Sequence, residues 1–251
     1  MHTLTGSVAV LLFSLPATEE ARRKPLADSK PRSERAWQAL EQLALGKIQA
    51  AGLPSFLAHE LPTRPSGTFG EQLWQAAQAV LDLGYESVIC VGNDCPSIRS
   101  SDLVEAARII QSGAIPVGTD KRGGVYLTGF NRALLANDRA LTSLPWQTTN
   151  LAAALLNFLH QHGQHPVSLS TCRPDWNARC DVRLGEAVGL KKWLHTLNEA
   201  FILLNADRPP VQFSFFTSCR PASVGLRGPP TSLRLHLTPN PTPLERGAAL
   251  Q

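Results

Sequence analysis

The stretch from Tyr85 to Phe130 most constrains what this chain can fold into. Its apolar run, residues 87–91, has β-branched character and ends at a glycine, which is typical of a parallel strand buried on both faces. The turn Gly92-Asn93-Asp94-Cys95-Pro96 follows directly. In an open α/β sheet, ligands bind outside the carboxyl ends of the strands. The sequence therefore predicts that the Asp94 carboxylate faces a crevice rather than the core.

Strand-type and helix-type patterns alternate along most of the chain, which favours an α/β fold with a mostly parallel sheet. We expect strands at residues 8–13, 55–61, 87–91, 114–118, 125–130 and 167–169, and helices at residues 34–51, 69–83, 100–112, 151–159 and 184–204. Ser33 is the predicted N-cap of the first helix, and residues 100–102 are predicted to cap the helix after Pro96. Residues 15–32 are polar and interrupted by prolines, so we expect a loop there.

Length and composition limit the domain organisation. A chain of 251 residues can bury one large core, and we expect one α/β domain over residues 1–204. Residues 205–251 are rich in proline with little apolar periodicity, which indicates a weakly structured tail. The net charge of +4 is small and dispersed, so the composition argues against a nucleic-acid partner.

The charge and cysteine patterns indicate the cellular compartment in which we expect the protein. The apolar run at residues 8–15 has no cationic segment in front of it, so we interpret it as a first strand rather than a signal peptide. No apolar run reaches the roughly 18 residues needed to suggest a membrane span. The five cysteines form no Cys-x-x-Cys pair. We therefore expect a reduced, cytoplasmic protein.

Three motifs of the chain resemble those of one known family. They are Gly92-Asn93-Asp94-Cys95-Pro96, the segment from Gly118 to Gly129, and Phe69-Gly70-Glu71-Gln72-Leu73. They are similar to the signatures of an uncharacterised glycosyltransferase-like family that includes the arsenosugar-biosynthesis glycosyltransferase-like proteins. The resemblance covers most of residues 7 to about 200, and its specific motifs lie in the centre of that range. It implies the GT-A fold of the nucleotide-diphospho-sugar transferases, a three-layer α/β sandwich.

The resemblance implies a nucleotide-sugar ligand and a divalent cation. Enzymes of this kind must hold a diphosphate, and they commonly neutralise it with Mg²⁺ or Mn²⁺ through one or two carboxylates. We predict Asp94 and Asp181 as metal ligands and Asp94 and Asp120 as catalytic residues. The alternative for Asp94 is a structural aspartate that bonds its own turn, and for Asp181 it is a helix N-cap.

A further set of residues is predicted to contact the nucleotide sugar. It comprises Arg22, Arg23, Lys24, Asn93, Gly123, Gly124 and Tyr126. The basic run at 22–24 follows the first strand, where proteins of the GT-A fold meet phosphates, although a solvated charged loop explains it equally well. The glycine pair permits either unusual backbone angles or a close approach to a ligand.

One departure from the family pattern bears on catalysis. Arg122 stands where the family has an aspartate before its glycine pair, and Asp120 lies two positions earlier. A guanidinium cannot bind a divalent cation, so any role of that aspartate is lost here or passed to Asp120. Three functions stay open: sugar transfer, nucleotidyl transfer onto a sugar phosphate or cofactor, and non-catalytic nucleotide binding. A nucleotide sugar is the expected ligand, and an enzyme is favoured.

Overall fold

The computed structural model describes residues 8–62, 65–171 and 173–182. Six strands of these residues form one sheet in the order β2-β1-β3-β5-β4-β6. The strands are β1 (Val8–Leu12), β2 (Ser55–Leu57), β3 (Ser87–Val91), β4 (Ile115–Thr119), β5 (Val125–Asn131) and β6 (Pro166–Ser168). Only β5 of these six runs antiparallel to its neighbours. The predicted α/β class with a mostly parallel sheet is confirmed.

Helices cover both faces of this sheet. They are α1 (Ala17–Arg23), α2 (Lys30–Ala50), α3 (Phe69–Asp82), α4 (Ser100–Gln111), α5 (Arg132–Leu135), α6 (Asp138–Thr142) and α7 (Leu151–Gln161). Strand β1 shows the three layers, because its side chains alternate between two cores. Val8, Val10 and Leu12 pack with α2 and α4, whereas Ala9 and Leu11 pack with α3 and α7.

The antiparallel strand β5 lies directly beside β3. Strand β4 follows β3 through helix α4, but β5 lies between them and pairs with both. Since β1, β3 and β4 all run in the same direction, their carboxyl ends meet at one edge of the sheet. The turns after these strands are thereby brought to the same place.

Several local predictions were wrong. Residues 17–23 form α1 rather than a loop, and α2 begins at Lys30 with Ser29 as its N-cap. Ser33 is therefore not a cap; its buried hydroxyl accepts the Ala27 N–H at 2.9 Å. Helix α4 has Arg99 as its N-cap. Strand β2 stops at Leu57, where a 3-10 helix replaces the rest of the predicted strand.

Two predictions concern the end of the chain. The helix predicted at residues 184–204 and the tail at 205–251 lie outside the described residues. Within residues 8–62, 65–171 and 173–182, no helix has the length and apolar content needed to cross a membrane.

Candidate functional site

The turn after β3 carries Asp94 to the carboxyl edge of the sheet, as the sequence predicted. Its side chain is 17% exposed, and its Oδ2 lies 2.6 Å from the Nζ of Lys24, which is 27% exposed. Gly92 makes this geometry possible, because a Cβ at that position would lie 2.5 Å from Oδ1 of Asp94. Asp94 is thus reachable from solvent and already holds one cationic group.

Lys24 reaches Asp94 from the C-cap of α1. Its backbone N–H donates to the Glu20 carbonyl, and its own carbonyl accepts the indole N–H of Trp37 at 3.0 Å. Burial by itself lowers the pKa of Lys24, but the negative charges of Asp94, Glu20 and Asp175 outweigh it and raise that pKa above its ordinary value. Lys24 therefore stays charged at neutral pH.

The other two predicted basic residues lie differently. Arg22 is exposed and pairs with Glu19 at 2.7 Å, one turn back on α1. Arg23 is also exposed. Of the predicted basic run, Lys24 is the residue that the structure brings into contact with the Asp94 turn.

A second acidic turn joins β4 to β5. Oδ1 of Asp120 accepts the backbone N–H groups of Arg122 at 2.8 Å and Gly124 at 2.7 Å. The guanidinium of Arg122 then lies 3.2 Å from Asp120 and 3.5 Å from Asp181. The basic residue that departs from the family pattern is thus an ion-pair partner of two predicted site carboxylates.

The two glycines of this turn are closely packed. Gly123 has a φ of +84°, and a Cβ there would collide with the backbone carbonyl of Thr149. A Cβ at Gly124 would lie 3.2 Å from Oδ1 of Asp120. The packing of the turn thus requires glycine at 123, whereas a Cβ at 124 would require the Asp120 side chain to shift by a few tenths of an ångström.

Residues 173–182, which we call the covering segment, pack over this edge of the sheet. The backbone N–H of Trp176 donates to the Asp94 carbonyl at 2.7 Å, and its side chain is buried against α1 and α2. Arg173 forms a buried ion pair with Asp102 of α4 at 3.0 Å. Arg122 donates to the Asp175 carbonyl at 2.8 Å. These contacts fix the segment beside both acidic turns.

The covering segment adds a carboxyl group that the sequence reasoning missed. Oδ1 of Asp175 is buried and, among the described residues, has no hydrogen-bond partner. Burial, together with the negative charges of Asp94 and Asp120, raises the pKa of Asp175 to about 8. The available signal was the Arg-Pro-Asp-Trp run at residues 173–176, where a tryptophan stands between the predicted strand at 167–169 and the predicted helix at 184–204 with neither to bury it.

The remaining predicted residues lie close to these turns. Asn93 is buried beside Asp94. Tyr126 is buried in β5, and its hydroxyl donates to the Thr171 carbonyl at 2.8 Å. Oδ2 of Asp181 accepts the backbone N–H groups of Asn177 and Ala178, which caps a short 3-10 helix. Asp181 therefore caps this short 3-10 helix, and the helix predicted from residue 184 lies outside the described residues.

Cys95 is not an activated nucleophile. Its thiol is buried, and that burial raises the pKa of the thiol well above its ordinary value. Cys95 therefore packs in the turn after β3 as a neutral thiol.

The donor set suits a divalent cation that is shared with a ligand. No group of three or more His, Cys, Asp or Glu side chains is arranged around a common metal position in the described part of the chain. Mg²⁺ commonly uses only one or two carboxylates and completes its coordination with water and phosphate oxygens. The part-exposed carboxylate of Asp94 and the unpartnered Oδ1 of Asp175 fit that requirement.

Comparisons with known proteins agree with this architecture. Residues 33–148 match the family described as "Uncharacterized protein conserved in bacteria (DUF2064)". The structure is similar, with a TM-score of 0.54, to a crystal structure from Desulfovibrio desulfuricans G20 described as a "putative nucleotide-diphospho-sugar transferase". The two sequences are 17% identical over 65% of this chain and 80% of that chain. The chain has a GT-A-like fold.

Two more solved structures show a weaker likeness to this GT-A-like chain. CMP:2-keto-3-deoxy-manno-octonic acid synthetase, complexed with CTP, has a TM-score of 0.41 and 13% identity over 74% of this chain and all of that chain. Glucosyl-3-phosphoglycerate synthase from Mycobacterium tuberculosis, with Mn²⁺ and UDP, has a TM-score of 0.39 and 13% identity over 78% and 80%. A comparison with curated proteins found no match.

The GT-A-like fold is the one that the resemblance of the sequence motifs implied. Two of the three motifs, those at residues 92–96 and 118–129, form the two acidic turns at the carboxyl edge of the sheet. The third begins helix α3, where Thr68 and Glu71 form a capping box.

Proposed function

We propose that this chain is a transferase that binds a nucleotide-diphospho-sugar, together with Mg²⁺ or Mn²⁺, at the edge formed by the two acidic turns and the covering segment. The observation that carries the proposal is the part-exposed Asp94 carboxylate at the exit of β3, paired with Lys24 at 2.6 Å. A carboxylate beside a lysine gives a cation and a phosphate each a partner within one small site.

The residues have separate roles in this proposal. Asp94 and Asp175 offer oxygens to the cation, and Asp181 is the remaining candidate ligand. Lys24 binds phosphate oxygens, and Arg22 and Arg23 add positive charge from the same helix. When bound, the cation supplies the charge that stabilises the departing nucleoside diphosphate.

The turn from β4 to β5 serves the sugar side of the ligand. In this proposal Asp120 orients the reacting sugar, and the backbone of Gly123 and Gly124 lies beside it. Asn93 and Tyr126 support the turn after β3 and the covering segment. The catalytic effect is positioning and electrostatic stabilisation rather than covalent chemistry.

One observation favours a second candidate, a non-catalytic nucleotide-binding protein. The guanidinium of Arg122 is paired with Asp120 and Asp181, so two of the predicted acidic residues are already neutralised by the chain itself. A chain of this kind would keep nucleotide binding but lose transfer.

Thermal unfolding and calorimetry test these proposals. The wild-type protein is measured with UDP, CDP, ADP and GDP, with their glucose conjugates and with the triphosphates, with and without Mn²⁺. We expect stabilisation by at least one nucleoside diphosphate or nucleotide sugar that depends on Mn²⁺ and is lost in Asp94→Asn. Asp82→Asn, an exposed substitution of the same kind on α3, is the matched control.

The outcomes separate the candidates. Slow release of nucleoside diphosphate from the stabilising nucleotide sugar supports a transferase, whereas binding without release supports the non-catalytic candidate. A response to triphosphates alone indicates nucleotidyl transfer. If no nucleotide stabilises the protein and Asp94→Asn behaves as wild type, the proposed site is wrong.

A further inference from the structure

The backbone of Lys24 is fixed on both sides, and its side chain is aimed at Asp94. The backbone N–H donates to the Glu20 carbonyl at 2.7 Å, and the backbone carbonyl accepts the Trp37 indole N–H at 3.0 Å. The Nζ lies 2.6 Å from Oδ2 of Asp94. The backbone of Lys24 is therefore held in place, while its side chain can move.

A divalent cation on Oδ2 of Asp94 would meet this ammonium. Oxygen ligands bind Mg²⁺ at about 2.0–2.1 Å, so the ion would lie next to a second positive charge that is 2.6 Å from the same oxygen. Two cationic groups at such a separation repel each other in a part-buried site. The ammonium of Lys24 and the divalent cation thus compete for one carboxylate.

A diphosphate offers the ammonium another partner. Lysine has a flexible four-carbon stem with three donors, and its ammonium is a common phosphate ligand. The Lys24 side chain is 27% exposed, so it borders solvent on one side. Phosphate oxygens arriving at this edge can draw the ammonium away from Asp94 without any movement of α1.

We propose that Lys24 makes cation binding depend on the diphosphate. Its ammonium occupies the Asp94 carboxylate until phosphate oxygens draw it away, and the divalent cation then takes its place on that carboxylate. This inference rests on the proposed function and adds an order of binding to it, in which the diphosphate engages Lys24 before the cation binds Asp94. Binding of the cation and of the nucleotide must then tighten each other by the same factor, and Lys24 supplies part of that factor.

Two titrations on Lys24→Met and Lys24→Gln test this exchange, in which the divalent cation replaces the Lys24 ammonium on Asp94. Binding of Mn²⁺ alone is followed by electron paramagnetic resonance, and binding of UDP, CDP, ADP and GDP, each with and without Mn²⁺, by calorimetry. We expect Mn²⁺ alone to bind roughly three- to tenfold more tightly to the variants than to wild type, because the competing charge is gone. Nucleoside diphosphate in the presence of Mn²⁺ binds roughly tenfold more weakly, because a charged donor to phosphate is lost.

Two controls accompany this experiment. Lys30→Met removes the same charge from an exposed position at the start of α2, and both affinities stay at wild-type values. Lys24→Arg keeps the charge and retains most of the linkage between Mn²⁺ and nucleotide. Circular dichroism verifies that each variant is folded, and Lys24→Gln serves if the methionine variant is unstable.

The results distinguish this inference from the proposed function. If wild type shows Mn²⁺-dependent nucleotide binding but the Lys24 variants bind Mn²⁺ alone no more tightly, the exchange is wrong and the transferase site stands. If wild type binds neither Mn²⁺ nor nucleotide, both the site and the exchange are overturned. Opposite signs in the two titrations support the exchange.

Discussion

The Nζ of Lys24 lies 2.6 Å from Oδ2 of Asp94, although 70 positions separate the two residues in the chain. The pair joins the end of helix α1 to the turn after β3, and both side chains are mostly shielded from solvent. The pair therefore links two distant elements of the fold and also belongs to the proposed ligand site. Its contribution to folding can be measured independently of any ligand.

A double-mutant cycle on Lys24 and Asp94 measures that contribution. Asp94→Asn leaves the Lys24 ammonium without its partner, and we expect the free energy of unfolding in urea to fall by about 1–3 kcal/mol. Lys24→Met together with Asp94→Asn is expected to cost less than the sum of the two single changes, by about 1 kcal/mol or more.

An exposed pair provides the reference for this cycle. Asp82 and Arg132 lie 3.6 Å apart with more than half of each side chain exposed. We expect Asp82→Asn and Arg132→Met to couple by less than about 0.5 kcal/mol. Equal coupling in the two pairs would show that burial adds nothing to the Lys24–Asp94 interaction.

Asp175 makes the stability of the fold depend on pH. Burial and the charges of Asp94 and Asp120 raise its pKa in the folded protein to about 8, from 3.8, against the opposing charges of Lys24 and Arg122. The folded state then holds the proton more tightly than the unfolded chain does. Its contribution to stability is complete below pH 3.8 and is lost as the pH rises through about 8.

The change Asp175→Asn removes this dependence. We expect the variant to exceed wild type in free energy of unfolding by about 1–3 kcal/mol at pH 8 and by much less at pH 5. Urea unfolding at four values between pH 5 and pH 8.5 measures the difference. A constant difference across that range would contradict the raised pKa of Asp175.

Substitutions at Gly123 and Gly84 distinguish the cost of a strained backbone from the cost of a steric clash. Both have positive φ, +84° and +102°, but a Cβ at Gly123 meets the Thr149 carbonyl while a Cβ at Gly84 meets no atom within 4 Å. We expect Gly84→Ala to lower the free energy of unfolding by about 1 kcal/mol and Gly123→Ala by about 2–4 kcal/mol. Similar losses in thermal or urea unfolding would mean that the turn can relax around the new methyl group.

Tyr126→Phe tests whether this tyrosine binds substrate or supports the covering segment. Its hydroxyl already donates to the Thr171 carbonyl at 2.8 Å. We expect the variant to lose about 0.5–1.5 kcal/mol of unfolding free energy and to keep the nucleotide affinity of wild type. Lost affinity with unchanged stability would instead place the hydroxyl on the ligand.

The central strands were predictable because local signals and burial agree there. The apolar run at residues 87–91 is bounded by polar or glycine positions, and its carboxyl end identified Asp94. Helix α1 was missed because its stability comes from packing of Ala21 and from the Glu20 carboxylate, which accepts the Leu15 N–H, rather than from a periodic pattern. Asp175 was missed because its surroundings are assembled from three distant segments.

The position of β5 also governs when this edge of the sheet can form during synthesis. Strand β5 supplies hydrogen bonds to one side of β3 and to one side of β4. Until residues 125–131 have left the ribosome, β3 has one side without hydrogen bonds, and β4 has neither of its partners because β6 follows later still. Such unpaired sides readily pair with other chains. A nascent chain that stalls in the loop before β5 is therefore expected to be the form most prone to aggregation, and to depend most on chaperones.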